Sequence, residues 1–405
     1  MHSFFQLKSS AKLAHIRPLQ ASVGRPQTDR QTDRKTEYII VTLRPKRTDK
    51  KMANQSLGTA KKDKNDEFYT QLDDVEKELS NYKNQLKGKV IFCNCDDPYE
   101  SNFFKYFAMN FNQLGLKKLI ATCFDPSPIA GSQLSLIEVE PTLKKGMSKN
   151  TRHAYKIEIT EVKDFNGDGS IDLSDVEYLL KHDGNSLKLM EGSGDFRSKE
   201  CVELLKEADI VVTNPPFSLF LEYVAQLIDH KKKFIIMGNM NSLHKKEIFK
   251  LIVSDKIWTG YGFNLTCEFI LPDHYLKWIR IENGKKIGKV PAITWFTNLH
   301  TIKRDEKMIL WEKYSSDEYI KYDNLDAIEV GKVSEIPEDY FGMMGVPDTF
   351  LEKYNPEQFE LIGIPTGNYG KTIGVTKNYR GRTDISYTRN GITSCPYSRI
   401  IIKRK

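Results

Sequence analysis

The chain has 405 residues and nowhere approaches the run of about 18 uncharged apolar residues that a membrane-crossing helix needs, so no membrane partner is expected. Cysteine is scarce. Cys93, Cys95, Cys123, Cys201, Cys267 and Cys395 share no paired zinc-type spacing and are too few for a disulfide framework. Free thiols suit a reducing compartment, and a cytoplasmic location is expected. Charge of one sign is missing from most of the chain. Residues 1–51 carry 12 Lys/Arg against 4 Asp/Glu, whereas the remainder carries 49 against 50. The net charge of +7 therefore belongs to the leader, and any nucleic-acid face on the folded part has to be a local patch. What is present is ordinary for a globular protein: 39% hydrophobic and 28% charged residues exclude a disordered chain.

Residues 1–51 show no sustained period and repeat Gln-Thr-Asp-Arg at 27–30 and 31–34. They are expected to form a disordered basic leader, either without a role in the fold or acting as an arm on a nucleic acid. Asp29, Asp33 and Glu37 argue against an organelle presequence. Farther on, Leu72, Val75, Leu79, Tyr82 and Leu86 recur at helical spacing up to Gly88. Lys89–Cys95 reads as a buried strand, Ser101–Phe111 as an aromatic-rich helix and Lys117–Phe124 as a second strand. Residues 126–195 break this alternation and read as an insertion. Helix Lys199–Ala208, strand Asp209–Thr213, helix Leu219–Asp229, strand Lys233–Gly238 and helix His244–Ser254 then resume it. Such alternation implies an α/β fold over 52–254, with a mostly parallel sheet covered on both faces. Ligands are expected at the carboxyl ends of its strands, near the switch point. Beyond 255 the periodicity weakens into short strands such as Ala292–Phe296. Tyr379, Arg380, Arg382, Tyr387, Arg389 and Tyr397 interleave bases with aromatics before the terminal Lys403-Arg404-Lys405. That pattern fits phosphate contact with base stacking, and equally an ordinary solvated surface.

The strongest chemical signal is Asn214-Pro215-Pro216-Phe217, directly after the apolar strand. Two prolines stiffen the backbone and remove two N–H donors where a strand ends. The preceding carbonyls and the Asn214 amide then form a rigid acceptor cluster, suited to an exocyclic amine with two hydrogens to donate. Held so, the nitrogen moves toward tetrahedral geometry and its lone pair is freed for attack. Phe217 offers a flat face for a ring. A Pro-rich turn without chemistry is the bland alternative.

Strand followed by this tetrapeptide resembles the catalytic motif of amino-methyltransferases that use S-adenosylmethionine. The wider chain resembles adenine-specific DNA methyltransferases of the EcoRI type. The likeness is carried by Asp66-Glu67-Phe68-Tyr69-Thr70, Phe92 to Pro98 (FCNCDDP), Gly194-Asp195-Phe196-Arg197-Ser198 and Asn214 to Phe220 (NPPFSLF). It implies a Rossmann-like catalytic domain over 52–254 and a region over 255–405 holding the remaining sheet strands and the target-recognition elements. It also implies transfer of a methyl group to N6 of an adenine flipped out of double-stranded DNA, and a restriction nuclease acting on the same site as partner. Phe68, Tyr69 and Thr70 then meet the methionine end of the cofactor, and Asn94, Asp96 and Asp97 its amino-acid part. Asp125 or Thr122 is placed near the ribose, and Asp195 with Phe196 at the adenine. Asn214 and the Pro215 carbonyl hold N6, Pro216 stiffens the turn and Phe217 stacks on the base. Methylation of RNA or of a protein amide is the alternative within the same chemistry; protein-glutamine relatives tend to carry Tyr where Phe217 stands.

A second motif is independent of the first. Asp164, Asn166, Asp168, Ser170, Asp172 and Asp175 place oxygen ligands at the spacing of a twelve-residue calcium loop, with Gly169 at its turn. Position 12 is Asp instead of the usual Glu, and the segment before the loop alternates like a strand. A structural Ca2+ site, or a carboxylate-rich turn leading into helix Leu173–Lys181, both fit. A calcium-dependent binding protein with an inactive methyltransferase fold is the reading from a different class.

Overall fold

Eleven strands, most of them short, form one sheet among the described residues. In chain order they are β1 (Tyr69–Thr70), β2 (Val90–Cys93), β3 (Lys118–Thr122), β4 (Tyr155–Ile159), β5 (Leu187–Leu189), β6 (Ile210–Thr213), β7 (Lys233–Asn239), β8 (Trp258–Thr259), β9 (Leu265–Leu271), β10 (Arg280–Glu282) and β11 (Lys285–Thr297). The sheet order is β1-β9-β11-β7-β6-β2-β3-β4-β5, with β8 and β10 attached to β11. The computed structural model describes residues 69–98, 101–124, 154–182, 187–271, 278–282 and 284–405. The basic leader, Phe68 and Asp125 lie outside them.

Only the centre, β7-β6-β2-β3, is parallel. Strands β4 and β5 extend it antiparallel on one side, and β11, β9 and β1 do so on the other. This corrects one expectation. The sheet is mixed, because parallel neighbours need crossovers of a dozen residues or more and β9 to β11 follow one another too closely for that. Of the segment 126–195, the described residues 154–182 and 187–195 contribute β4 and β5 to the sheet. The in–out burial of β4 reflects its edge-ward position.

Alternation along the central strands sends side chains to two cores. Ile91, Cys93, Leu119, Ala121, Ile210, Val212, Ile235 and Met237 face one cluster, shared with helices α1 (Leu72–Leu79), α2 (Asn102–Met109) and α3 (Leu173–His182). Val90, Phe92, Ile120, Val211, Phe234 and Ile236 face the other, shared with α4 (Lys199–Glu207), α5 (Phe220–Asp229) and α6 (Lys246–Val253). Both faces are covered, as the continuous apolar runs require.

A second sheet has the order β12-β13-β17-β14, from β12 (Ile328–Glu329), β13 (Met343–Pro347), β14 (Phe359–Gly363) and, after the hairpin β15 (Tyr387–Arg389) and β16 (Ile392–Ser394), β17 (Arg399–Arg404). Ile328, Met344, Val346, Ile400 and Ile402 join the α4–α6 core. His244, just after β7, adds a polar tie: its Nε2 lies 3.1 Å from an Asp348 carboxylate oxygen and 2.7 Å from the Ser398 hydroxyl.

Candidate active site

From β2 the chain moves to β3 on one side and later returns as β6 on the other. The carboxyl ends of β2 and β6 therefore flank the switch point, where open α/β sheets bind ligands. The turn after β2 is Asn94-Cys95-Asp96-Asp97, and the turn after β6 is Asn214-Pro215-Pro216-Phe217. Pro215 is buried while Asn214, Pro216 and Phe217 are half-buried. Phe217 opens a single 3₁₀ turn into α5, and its ring packs against the α1–α2 core.

Asp96 joins the two turns. Its buried carboxylate accepts from Ser101 Oγ at 2.7 Å, from Thr213 Oγ1, and from the backbone N–H of Asn214. Burial pushes this carboxyl up to about 6, against the pull of the hydrogen bonds from Thr213, Ser101 and Asn214; the charge of Asp97 adds to the rise. Ser101 also caps α2, accepting from the N–H of Phe103 at 3.1 Å. Next to it Asn102 donates to the Thr70 carbonyl at 2.7 Å, and Thr70 Oγ1 lies 3.1 Å from Met237 Sδ. A chain of polar contacts thus runs from Thr70 through the start of α2 to Asn214.

A second set of contacts fixes the rest of the β2 turn. Tyr223 of α5 donates to Asn94 Oδ1, Thr122 Oγ1 to the Asn94 carbonyl at 3.3 Å, and Tyr155 to Asp97 Oδ1 at 2.9 Å. Asn94 Nδ2 is buried and meets no acceptor. A buried donor without a partner costs about 1–3 kcal/mol, so the site is built for a ligand bearing an acceptor. The carboxylate of a methionine moiety has that chemistry, and the residues present fit S-adenosylmethionine.

Gly194 adopts φ +74°, and a Cβ there would stand 2.0 Å from the Cys123 carbonyl oxygen at the end of β3. This close approach brings Asp195 and Phe196 to the same sheet edge. Asp195 accepts from Arg197 Nε at 2.8 Å and Nη2 at 2.6 Å, which holds its carboxyl below the usual range; Arg197 also reaches Glu222. Ser198, and not Asp195, caps α4. Phe196 is buried edge-on against Tyr223, ring centroids 5.1 Å apart.

The Asp164–Asp175 loop closes on its own backbone. Asp164 accepts from Gly167 and Gly169 N–H at 2.6 and 2.8 Å, Asp168 from Ser170 N–H at 2.9 Å, and Asp175 from Phe165 and Asp172 N–H at 2.7 and 3.0 Å. Asn166 Nδ2 bonds Asp168 and Ser174, and Ser174 Oγ bonds Asp172. Among the described residues no group of three or more His, Cys, Asp or Glu is placed to hold a metal. These contacts fit the polar turn, whose carboxylates satisfy N–H groups that a tight loop leaves without a ladder partner, and they lend a calcium site no support.

Comparison with known proteins gives the chain's family and activity. The family model described as "Adenine-specific methyltransferase EcoRI" matches residues 56–405. The chain belongs to this family. It is 44% identical over 359 residues to type II methyltransferase M.EcoRI of Escherichia coli, covering 87% of this chain and 97% of that one. It is 36% identical over 357 residues to type II methyltransferase M.MpnI of Mycoplasma pneumoniae, covering 85% and 97%. No solved structure matches significantly. As an EcoRI-family enzyme the protein is an adenine-specific DNA methyltransferase that uses S-adenosylmethionine. No helix of the described residues is long and apolar enough to cross a membrane.

Sequence reasoning placed Thr70, Asn94, Asp96, Asp97 and Asn214–Phe217 in one neighbourhood, and the fold brings them together at the ends of β2 and β6. It missed Ser101, Thr213, Tyr155 and Tyr223. Ser101 had a signal, a helix cap before an apolar run. The two tyrosines reach the site from β4 and α5 and had none.

Proposed function

We propose that the protein methylates N6 of an adenine flipped out of a specific duplex DNA site. The observation that carries this reading is the Asp96 clamp, which fixes the carboxyl ends of β2 and β6 against each other at the switch point. When bound, S-adenosylmethionine supplies a methyl group already activated on a sulfonium. The protein therefore needs alignment and exclusion of water more than a strong base. Asn214 Oδ1 and the Pro215 carbonyl hold the two N6 hydrogens and aim the nitrogen lone pair. Pro216 keeps that turn stiff, and Phe217 stacks on the flipped ring. Asn94 Nδ2, with the Thr70 segment and Asp97, holds the methionine end of the cofactor; Asp195 and Phe196 line its adenine end. Asp96 acts through the Asn214 backbone and not on the cofactor.

Residues 255–405 hold the remaining sheet strands and the proposed target-recognition region. Tyr379, Arg380, Arg382, Arg389 and Tyr397 are exposed, and the Arg380 guanidinium lies 4.9 Å from the Tyr379 ring centroid. Tyr387 is half-buried near Tyr322 and belongs to the local core. A nuclease cutting the same sequence is the proposed partner, in the cytoplasm, where six free thiols remain reduced. Incubation with methyl-labelled S-adenosylmethionine and duplex DNA, followed by nucleoside analysis, tests the reading. N6-methyladenine in DNA is expected; label only in RNA or protein would refute it.

A further inference from the structure

Strand β7 ends at Asn239, opposite Ile293 of β11. The part of β11 before Ile293 runs on past this carboxyl edge and pairs with β9 and β10 instead. In this extension the register sets Lys286 beside both Leu271 and Ile281, so these three share one face of the sheet. Phe269 and Leu271 place that face in the α1–α2 core, against which Phe217 also packs. Ile279, two residues before Ile281, shares the same face.

Here the apolar face emerges from its cover. Ile279 is 51% and Ile281 58% exposed, and Trp278 beside them 46%. Three large apolar side chains exposed within four residues of an edge strand are uncommon unless the surface has a partner. Their neighbours are mostly basic. By the same register Lys286 shares the apolar face, whereas Arg280, Lys285 and Lys289 lie on the opposite face with Glu268 and Glu282, where Arg280 bonds both acids and Lys289 pairs with Glu268.

We propose that this hairpin, Trp278–Glu282 with Lys285–Lys289, contacts the target DNA duplex beside the flipped adenine. Ile279 and Ile281 lie against the exposed base edges or sugars, and Lys286 beside them and Lys285 at the hairpin end on the flanking phosphates. Duplex DNA is the occupant because the row lies on the sheet face that carries Phe217, past the strand ends where the target base must enter, and because the described residues of the hairpin carry Arg280, Lys285, Lys286 and Lys289 against the single acid Glu282. Phosphate contacts set register and affinity, while an apolar wedge stabilises a distorted base step.

The test uses the full chain. Ile279→Ala/Ile281→Ala is expected to weaken binding of a cognate duplex about tenfold and to reduce target-base fluorescence from a 2-aminopurine substitution, with S-adenosylmethionine affinity unchanged. Lys285→Ala/Lys286→Ala is expected to lower the slope of log affinity against log salt by about 1–2. A photoreactive benzophenone at position 281 guards against a variant that fails to fold, and should crosslink to DNA. Binding within twofold of the parent, a dimer lost with DNA affinity per protomer intact, or a crosslink to this chain or a second copy in place of DNA would each overturn the proposal.

Discussion

Replacing Asp96 by Asn separates a residue that positions the catalytic turn from one that binds the cofactor. The substitution keeps the side-chain volume and one acceptor oxygen, but removes the charge and turns the other oxygen into a donor. Three donors converge on the carboxylate: the Ser101 and Thr213 hydroxyls and the Asn214 N–H. Asn cannot accept from all of them. Losing one charge-assisted hydrogen bond costs about 1.5–3 kcal/mol. If that cost falls on the aim of Asn214 in the transition state, single-turnover methyl transfer drops by about 10–150-fold. Cofactor affinity, measured by calorimetry, should stay within about twofold. Stability should not fall in parallel. Raising the carboxyl from 3.8 to about 6 means that ionisation at neutral pH costs the folded state about 3 kcal/mol, which Asn relieves. The sign follows from linkage. Between 3.8 and about 6 the folded state holds a proton that the unfolded chain has lost, so this group's contribution to stability falls as pH rises through that window. Asp96→Asn should therefore flatten the melting temperature between pH 4 and 7, the interval that spans this shift. The parent's transfer rate should decline below about pH 6, where protonation weakens the clamp. A tenfold rise in cofactor dissociation constant with an unchanged transfer rate would refute the positioning role and return Asp96 to the cofactor.

Asn214→Ala is expected to abolish methyl transfer while cofactor binding survives; near-normal single-turnover rates would remove Asn214 from the target amine. Phe217→Ala should weaken binding of the flipped base by about 1–3 kcal/mol, read by titration with a duplex carrying an abasic or mismatched partner opposite the target. A chain beginning at Met52 should methylate DNA as well as the full chain at moderate salt, and a large loss would show that the basic leader supplies phosphate contacts. Calcium or a chelator should leave the melting temperature unchanged, because the loop carboxylates are already engaged by loop N–H groups; a calcium-dependent rise abolished by Asp164→Ala/Asp168→Ala would restore the metal.

Central strands and their helices were legible because an element buried on both sides must be apolar along its whole length. Val90–Cys93, Ile210–Val212 and the body of Lys233–Asn239 are so. Their ends shifted by only a residue or two. Antiparallel flanks were harder, since β4 alternates and β11 is interrupted by Pro291 and by Ala292 at φ 61°. Glu78 shows the limit of composition. In sequence it is one more acid on a charged helix, yet it is buried and accepts from the N–H groups of Tyr261 and Gly262 at 2.8 and 2.7 Å and from Tyr82 at 2.8 Å.

The sequence by itself determined the form of the turn after β6: a strand running into Asn214-Pro215-Pro216-Phe217 is stiff and lacks two N–H donors whatever surrounds it, since proline geometry and missing N–H groups are local properties. Only the tertiary structure decided which acid serves that turn. Asp96, Asp97, Asp125 and Asp195 are alike as residues, and their spacing along the chain says nothing about which one stands beside β6. The crossing of the chain from β2 to β3 and back to β6 puts Asp96 under Thr213 and Asn214, 117 residues from Thr213. Burial there raises its carboxyl while three donors hold it, and both effects arise from neighbours that no local window contains.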